Sequence, residues 1–459
     1  MNAPQHLVPL PAAFRGKSFG RIPFAFGRRF FLLLLIGLIW IGPAFSNPRF
    51  IYAMALWDLL VLMIWVWDLT QLPKPEQLEA RRVWAAPVQL SVESQVTLEL
   101  HNFSKTTISA GIVDDVPTAL RNEIPETTIA APAGSHGAAV YSICPRERGD
   151  AKLGNISLRY QSGWRVAERW ASFATSQSVR VYPNLEESKR ETIHLIRSRQ
   201  IAVEKRRQHQ RGQGREFESL REYLEGDEWR DICWSATARR GKLISKAYQI
   251  ERSQTVWLVL DTGRLLRART LGLSKLDYAV NAALSLAQVA LYSGDRVAIL
   301  AYGRRVRLRL AAARGASHVR SILEGLAQLR NEEFEADHLR AAETLLTFQK
   351  RRSLIVWFTD LTETAATPEV VEGALRLAHR HLLLFTVIGQ PDLRSLLRER
   401  PENARDMFRH AAGQEIAHRR DVLLRTLRQQ GALTLEVDPG RLSSAVVNQY
   451  LLAKERSLI

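Results

Sequence analysis

The chain reads as a multi-domain membrane protein: an N-terminal transmembrane helical hairpin, an all-β sandwich-like domain, and an α/β domain on an open, mostly parallel sheet. Three observations predict this. Two apolar blocks, Phe30–Phe45 and Phe50–Leu69, sit close together near the N-terminus. Residues 80–182 alternate apolar and polar positions in short runs, the mark of half-buried strands. From residue 255 onward, continuous apolar runs alternate with helical periodicity, as in a sheet covered on both faces. The 459 residues accommodate about three domains at roughly 150 residues each.

The first apolar block carries no charge, and the second holds Asp58 in its interior. A spanning helix needs about 20 apolar residues, within roughly 17–25. The second block meets this, and the first does with its flanks. Asn47-Pro48 turns the chain between them, so residues 28–71 form a hairpin. Trp40, Trp57, Trp65 and Trp67 suit the bilayer interfaces. Arg15, Lys17, Arg21, Arg28 and Arg29 precede the hairpin, Lys74, Arg81 and Arg82 follow it, and its loop holds only Arg49. The positive-inside rule then places both termini and the soluble domains in the cytoplasm. A cleaved signal peptide fits poorly, because a second span follows at once. Asp58 is expected to face the neighbouring helix or reach toward the headgroups, since a charge at the bilayer centre costs about 2.5–3.5 kcal/mol. Residues 1–27 are read as a basic cytoplasmic tail.

In the strand-rich domain, residues 80–182, Val88, Leu90 and Val92 share one face, and Val96, Leu98 and Leu100 share the next. Ile156, Leu158 and Tyr160 continue the pattern, and short strands without a long helix predict an antiparallel sandwich. Arg148-Gly149-Asp150 spells an adhesion tripeptide, but a cytoplasmic domain meets no integrin. Residues 183–218 form a basic linker, with Lys189, Arg190, Arg197, Arg199 and Lys205 among its charges. It reads equally as a solvated helix and loop or as a face for anionic lipid. Nucleic acid is an unlikely partner, because no aromatic residues interleave to stack on bases. The overall balance, Lys+Arg 64 against Asp+Glu 47, or +17, favours acidic partners in general.

The α/β domain lies within residues 219–459. Thr255–Leu260, Val297–Tyr302, Leu354–Thr359, Leu382–Ile388 and Leu433–Val437 are its expected strands. No glycine-rich phosphate loop follows any of them, which excludes dinucleotide and P-loop sites. Cys144 and Cys233 stand apart with no CxxC spacing, excluding a disulfide framework and a zinc site. His379 and His381 lack further ligands at metal spacing, and no nucleophile elbow occurs, so no enzyme is expected.

Asp261 ends the first of these strands and Asp360 ends a later one, in Phe-Thr-Asp-Leu. In this the domain resembles a von Willebrand factor A domain. The resemblance implies a magnesium ion held by an Asp-x-Ser-x-Ser motif, a loop threonine and a strand-end Asp. Here the serine positions are Gly263 and Leu265, and the threonine loop reads Glu335-Ala336-Asp337-His338. Losing three hydroxyls leaves two carboxylates for an ion that wants octahedral oxygens, with Thr262 or Thr362 as substitutes. The expectation is a degenerate metal site at Asp261 and Asp360, without a required cofactor.

Upstream, Arg221, Glu222, Tyr223, Gly226, Asp227, Arg230, Trp234, Arg239 and Glu251 form a dense charged and aromatic signature. With Arg148-Gly149, Leu153-Gly154 and the closing Val447-Asn-Gln-Tyr450, this resembles the membrane-anchored branch of domain-of-unknown-function family 58. Such proteins are encoded beside MoxR-type AAA+ ATPases. The resemblance implies a bacterial inner-membrane scaffold that docks such an ATPase or its client. The signature itself fits two roles: a clamp of arginine–carboxylate pairs holding the segment against the sheet beside Asp261, or a partner-docking surface rich in Trp and Arg. A magnesium-dependent receptor and a hydrolase of unrecognised site are the alternatives to a scaffold.

Overall fold

The computed structural model describes residues 9, 12–20, 22–184, 216–224, 229–249, 254–361, 368–456 and 458, which divide into two compact units, 1–184 and 185–459. Gly226, Asp227, Glu251, Thr362 and most of the basic linker lie outside the described residues.

The first unit opens with strands. β1 (Ala13–Arg15), β2 (Lys17–Ser18) and β3 (Phe24–Phe26) precede the helices. Residues 13–26 are therefore sheet edges where a free tail was expected. Strands of two or three residues carry too little alternation to be read from sequence. After the helices come β4 (Leu78–Trp84), β5 (Ser94–Asn102), β6 (Ile108–Asp114), β7 (Glu126–Ala131), β8 (His136–Ile143), β9 (Gly149–Leu153), β10 (Ile156–Gln161), β11 (Ala167–Phe173) and β12 (Gln177–Val181). Among the described residues one sheet runs β1-β4-β5-β8 and a second runs β2-β11-β10-β6-β7, with β3 also on β11. All these pairings are antiparallel, and β9 pairs β12 in the same sense.

Every second side chain of β4 and β6 is buried, as two-residue periodicity demands. Arg82 occupies one of these inward positions in the first sheet, and Asp114 occupies one in the second. Arg82 Nε donates to Asp114 Oδ2 at 2.9 Å, and Nη2 contacts Oδ1 more closely. Two further guanidinium protons go to the carbonyls of Thr175, at 2.6 Å, and Gly154, at 2.7 Å. Tyr141 Oη donates to Asp114 at 2.7 Å. A side chain at Gly154 would collide with the Asp115 carboxylate at 1.9 Å. The glycine of the Leu153-Gly154 pair thus lets the loop close over Arg82.

Among the described residues, two helices are long and apolar enough to cross a membrane: Arg28–Ser46, which tightens to a 3-10 turn at Leu38–Trp40, and Phe50–Gln71. Most of their side chains face outward, unlike those of a core helix. They approach closely at Gly37, where a Cβ would meet Trp57 at 2.6 Å and the Asp58 carboxylate at 3.2 Å. Asp58 thus faces the neighbouring helix. Trp57 Nε1 donates to Leu33 O at 2.9 Å across the pair.

A second acid, Asp68, joins the helices to the sandwich. It is fully buried. Its carboxylate accepts Ser162 Oγ–H and the backbone N–H groups of Val166, at 3.0 Å, and Ala167, at 2.8 Å. Arg169 donates to the carbonyls of Leu69, Leu72 and Pro73 where this helix ends, satisfying groups that a helix terminus leaves open.

In the second unit β13 (Glu216–Glu222) pairs antiparallel with β14 (Ile244–Gln249), and the helix Trp234–Arg240 lies between them. β15 (Thr255–Asp261) follows, then a small β16 (Arg269–Thr270) and β17 (Leu273–Ser274) ribbon. β18 (Arg296–Tyr302), β19 (Val306–Ala313), β20 (Leu354–Thr359), β21 (Leu382–Ile388) and β22 (Leu433–Val437) complete the main sheet. Its order among the described residues is β19-β18-β15-β20-β21-β22, parallel except for β18–β19. The closing helix Leu442–Glu455 is locked by Tyr450, whose Oη donates to buried Asp295 at 2.5 Å, and by Lys454 at 2.8 Å from the same carboxylate.

Arg82→Ala should destabilise the first unit by about 3–5 kcal/mol, because Asp114 is left as an unpaired buried charge. Arg82→Met with Asp114→Leu should cost far less. Denaturant unfolding of the full chain in detergent would measure both, and equal losses would show that pairing is not what matters.

Candidate functional site

β15 lies between β18 and β20, so the strand order reverses at its C-terminal end. In open α/β sheets this switch point is where ligands bind. The structure brings Asp261 and Asp360 together there, on the ends of β15 and β20. Each is almost wholly buried.

Both carboxylates are engaged. Asp261 Oδ1 accepts Gly263 N–H and Oδ2 accepts Thr359 Oγ1–H, each at 2.7 Å. Asp360 Oδ1 accepts Leu361 N–H at 2.7 Å and stands 3.7 Å from Arg420 Nη2. Asp360 Oδ2 holds the ammonium of Lys275, which is 1 % exposed. Lys275 is the first residue of the helix Lys275–Tyr292, which Ser274 and Asp277 start with a reciprocal capping box. A cation at a helix N-terminus opposes the helix dipole, so this ammonium depends on Asp360. Arg420 comes from the long helix Ala404–Gln429. It donates to Ile388 O at 2.8 Å and lies 3.4 Å from Glu436.

The loop groups are committed as well. Thr262 Oγ1 donates to Tyr302 O at 3.0 Å. Arg264 pairs with Glu335 at 2.8 Å. A Cβ at Gly263 would sit 2.9 Å from Ala336 N, so the absent serine and the loop's alanine fit one another. Asp337 caps the helix His338–Phe348 by accepting Arg340 N–H. Trp357 Nε1 donates to Tyr302 Oη at 2.6 Å, and Tyr302 Oη shares a hydrogen bond with His338 Nδ1 at 2.8 Å. Burial pushes the Asp261 carboxyl above the usual carboxylate range, with His338 partly opposing the shift. His381 is buried on Ser353 and is shifted down, chiefly by desolvation.

Among the described residues, this donor set does not fit a magnesium ion. An octahedral site needs several oxygens free to turn toward the metal. Here those of Asp261 and Asp360 point to internal donors, and a lysine ammonium already supplies the positive charge. Among the described residues no group of three or more His, Cys, Asp or Glu side chains could hold a metal. Lys275 and Arg420 were not legible in the sequence. A lysine beside a capping box was the available signal, but only the fold shows where its ammonium reaches.

The signature residues lie elsewhere in this unit. Arg230, Arg239 and Arg240 are exposed, as are Trp229 and Trp234. Ile232 and Ile244 are buried beneath them, and Glu222 pairs with Lys242 at 3.0 Å on the surface.

Residues 219–396 match a family model described as "Protein of unknown function DUF58". An uncharacterized protein of Mycobacterium tuberculosis is 26% identical over 266 residues, covering 54% of this chain and 82% of that protein. Among solved structures, the conserved hypothetical protein BatB of Bacteroides thetaiotaomicron aligns with 44% of this chain and 100% of its own, at 14% identity and TM-score 0.33. A von Willebrand factor type A protein of Catenulispora acidiphila aligns with 45% of this chain and 43% of its own, at 13% identity and TM-score 0.29.

Lys275→Met should cost about 3–5 kcal/mol by stranding Asp360, read as a lowered unfolding midpoint. Asp261 favours folding most when protonated, and that contribution is lost as pH rises from the usual value of 3.8 through its raised folded value. Asp261→Asn retains an acceptor for Gly263 N–H and carries no charge. Its stability relative to wild type should therefore improve as pH rises above the usual carboxyl value of 3.8 in melts of the full chain, whereas a flat difference would refute the assignment.

Proposed function

With residues 219–396 as a DUF58 domain, we propose that the protein is a membrane-anchored scaffold that docks another protein through the signature segment, without catalysis of its own. One observation carries this reading: Trp229 is 79% exposed and Trp234 65% exposed, flanked by the exposed Arg230 and Arg239. A clamp would bury these groups. Large aromatics and arginines held on a surface by buried neighbours are the residues that dominate protein–protein hot spots. The likeness to proteins encoded beside MoxR-type AAA+ ATPases supplies the partner class, such an ATPase or its client.

Two further observations support the frame. Strands before the helices and strands after them share sheets, as when β1 pairs β4 and β3 pairs β11. Both ends of the helix pair therefore lie on one side of any membrane it crosses, which suits two spans, and the flanking basic residues favour the cytoplasmic side. The strand-end cluster serves as an internal lock, its cations taking the role a metal would otherwise have.

The test is affinity purification of the full chain from its native membranes in mild detergent, with mass spectrometry. A Trp229→Ser/Trp234→Ser variant, expected to melt as wild type does, is the comparison. An AAA+ ATPase that comes with wild type and is lost from the variant is the expected result. Equal recovery would move the docking surface elsewhere, and its absence from both would remove the assigned partner. Magnesium or a chelator should leave the wild-type melting temperature unchanged.

A further inference from the structure

The loop joining β10 to β11 has a conformation that its own sequence does not favour. Arg165 sits at φ +56, a left-handed geometry that side chains other than glycine rarely adopt. Such a residue persists where its surroundings dictate it. Here Asp68 is the cause. It binds Ser162 on one side of the turn and the N–H groups of Val166 and Ala167 on the other. Ser162 Oγ in turn accepts Trp164 N–H at 3.0 Å. The tips of the turn, Trp164 and Arg165, are left facing outward, and Trp164 is 59% exposed.

Asp68 also sets the level of this loop. It lies near the end of the helix Phe50–Gln71, whose 22 residues span about 33 Å at 1.5 Å each, close to the thickness of a hydrocarbon core of about 30 Å. The loop is bonded where that helix leaves the apolar layer. Trp164 packs edge-on against Trp67 of the helix, with ring centres 5.6 Å apart. On the other helix, Arg29 donates to Trp164 O at 3.2 Å. β3 is tied to the same level, because Trp65 Nε1 donates to Ala25 O and Gly27 N–H donates to Val166 O. β3 presents Phe24 and Phe26 outward, 38% and 43% exposed. Arg28 and Arg29 follow, also exposed.

We propose that this edge of the β domain is a lipid-contacting rim. Trp164, Phe24 and Phe26 seat in the headgroup layer, and Arg28, Arg29 and Arg165 bind the phosphates of anionic lipid. Aromatic rings with a wet edge and an apolar body favour that layer, and clustered arginines are attracted to an anionic surface. The soluble domain then rests on the bilayer instead of hanging from a tether. This rests on the hairpin's crossing the membrane, so the two claims need separate readouts.

The experiment places single spin labels on the full chain in a Cys144→Ser/Cys233→Ser background, reconstituted into phosphatidylcholine vesicles with about one third phosphatidylglycerol. Gly163→Cys reports the rim, since a side chain there meets nothing within 4 Å and Trp164 is retained. Leu60→Cys reports the middle of the helix, and Val140→Cys on β8 reports an exposed sheet position. The expected result is that labels at 60 and 163 are both reached by oxygen and shielded from a water-soluble nickel complex, 163 at shallower depth, while 140 is open to nickel. Shielding at 163 should fall in pure phosphatidylcholine and in an Arg28→Gln/Arg165→Gln variant. A label at 163 as open to nickel as one at 140, with 60 still shielded, overturns the rim and leaves the hairpin standing. Nickel access at 60 removes the membrane-spanning reading and the rim with it. Shielding that ignores lipid charge overturns the arginine contacts.

Discussion

A carboxylate withdrawn from water must be met by donors, and both units are organised around that requirement. Asp114 is met by Arg82, Tyr141 and two loops whose carbonyls turn inward to the guanidinium. Asp68 is met by a turn that accepts a left-handed arginine. Asp360 is met by a lysine placed at the unfavourable end of a helix. In each case the backbone bends to satisfy the acid, because an unpaired buried charge costs more than a strained loop. The apolar core supplies most of the driving force, and these pairs decide which segments may touch.

This also explains what the sequence signature means position by position. Gly154 closes a loop over Arg82, and Tyr450 locks the last helix to Asp295. Those residues serve the fold. Arg230, Trp234 and Arg239 show no such burial. The signature therefore mixes positions buried in the architecture with positions exposed on the surface, and only side-chain exposure separates them.

The apolar runs of β15, β18, β20 and β21 were legible because a strand covered on both faces needs no alternation to be recognised, and β22, a half-buried edge, because Leu433, Leu435 and Val437 alternate with Thr434 and Glu436. β15, β18, β20, β21 and β22 lie where those runs lie. β19 was not, since an antiparallel edge strand with alternating arginines, Val306–Ala313, resembles a solvated loop. Asp261 and Asp360 were found because strand ends are readable. Lys275 was missed because its partner lies 85 residues away, and no local period encodes that distance. Asp68 was passed over because an acid at the end of an apolar segment looks like its natural boundary. The strands of residues 13–26 were too short to register.

Those early strands bear on how the molecule is made. They leave the ribosome before the hairpin, while β4 and β11, on which they pair, are synthesised only after it. β1, β2 and β3 therefore have no partner strand while the helix pair is being made, and the β domain cannot close until about residue 173 has emerged. Its final assembly follows synthesis of the helix pair, because strands made before the helices wait for strands made after them. A nascent chain stalled before that point would present open strand edges, the state in which chaperone protection would matter most.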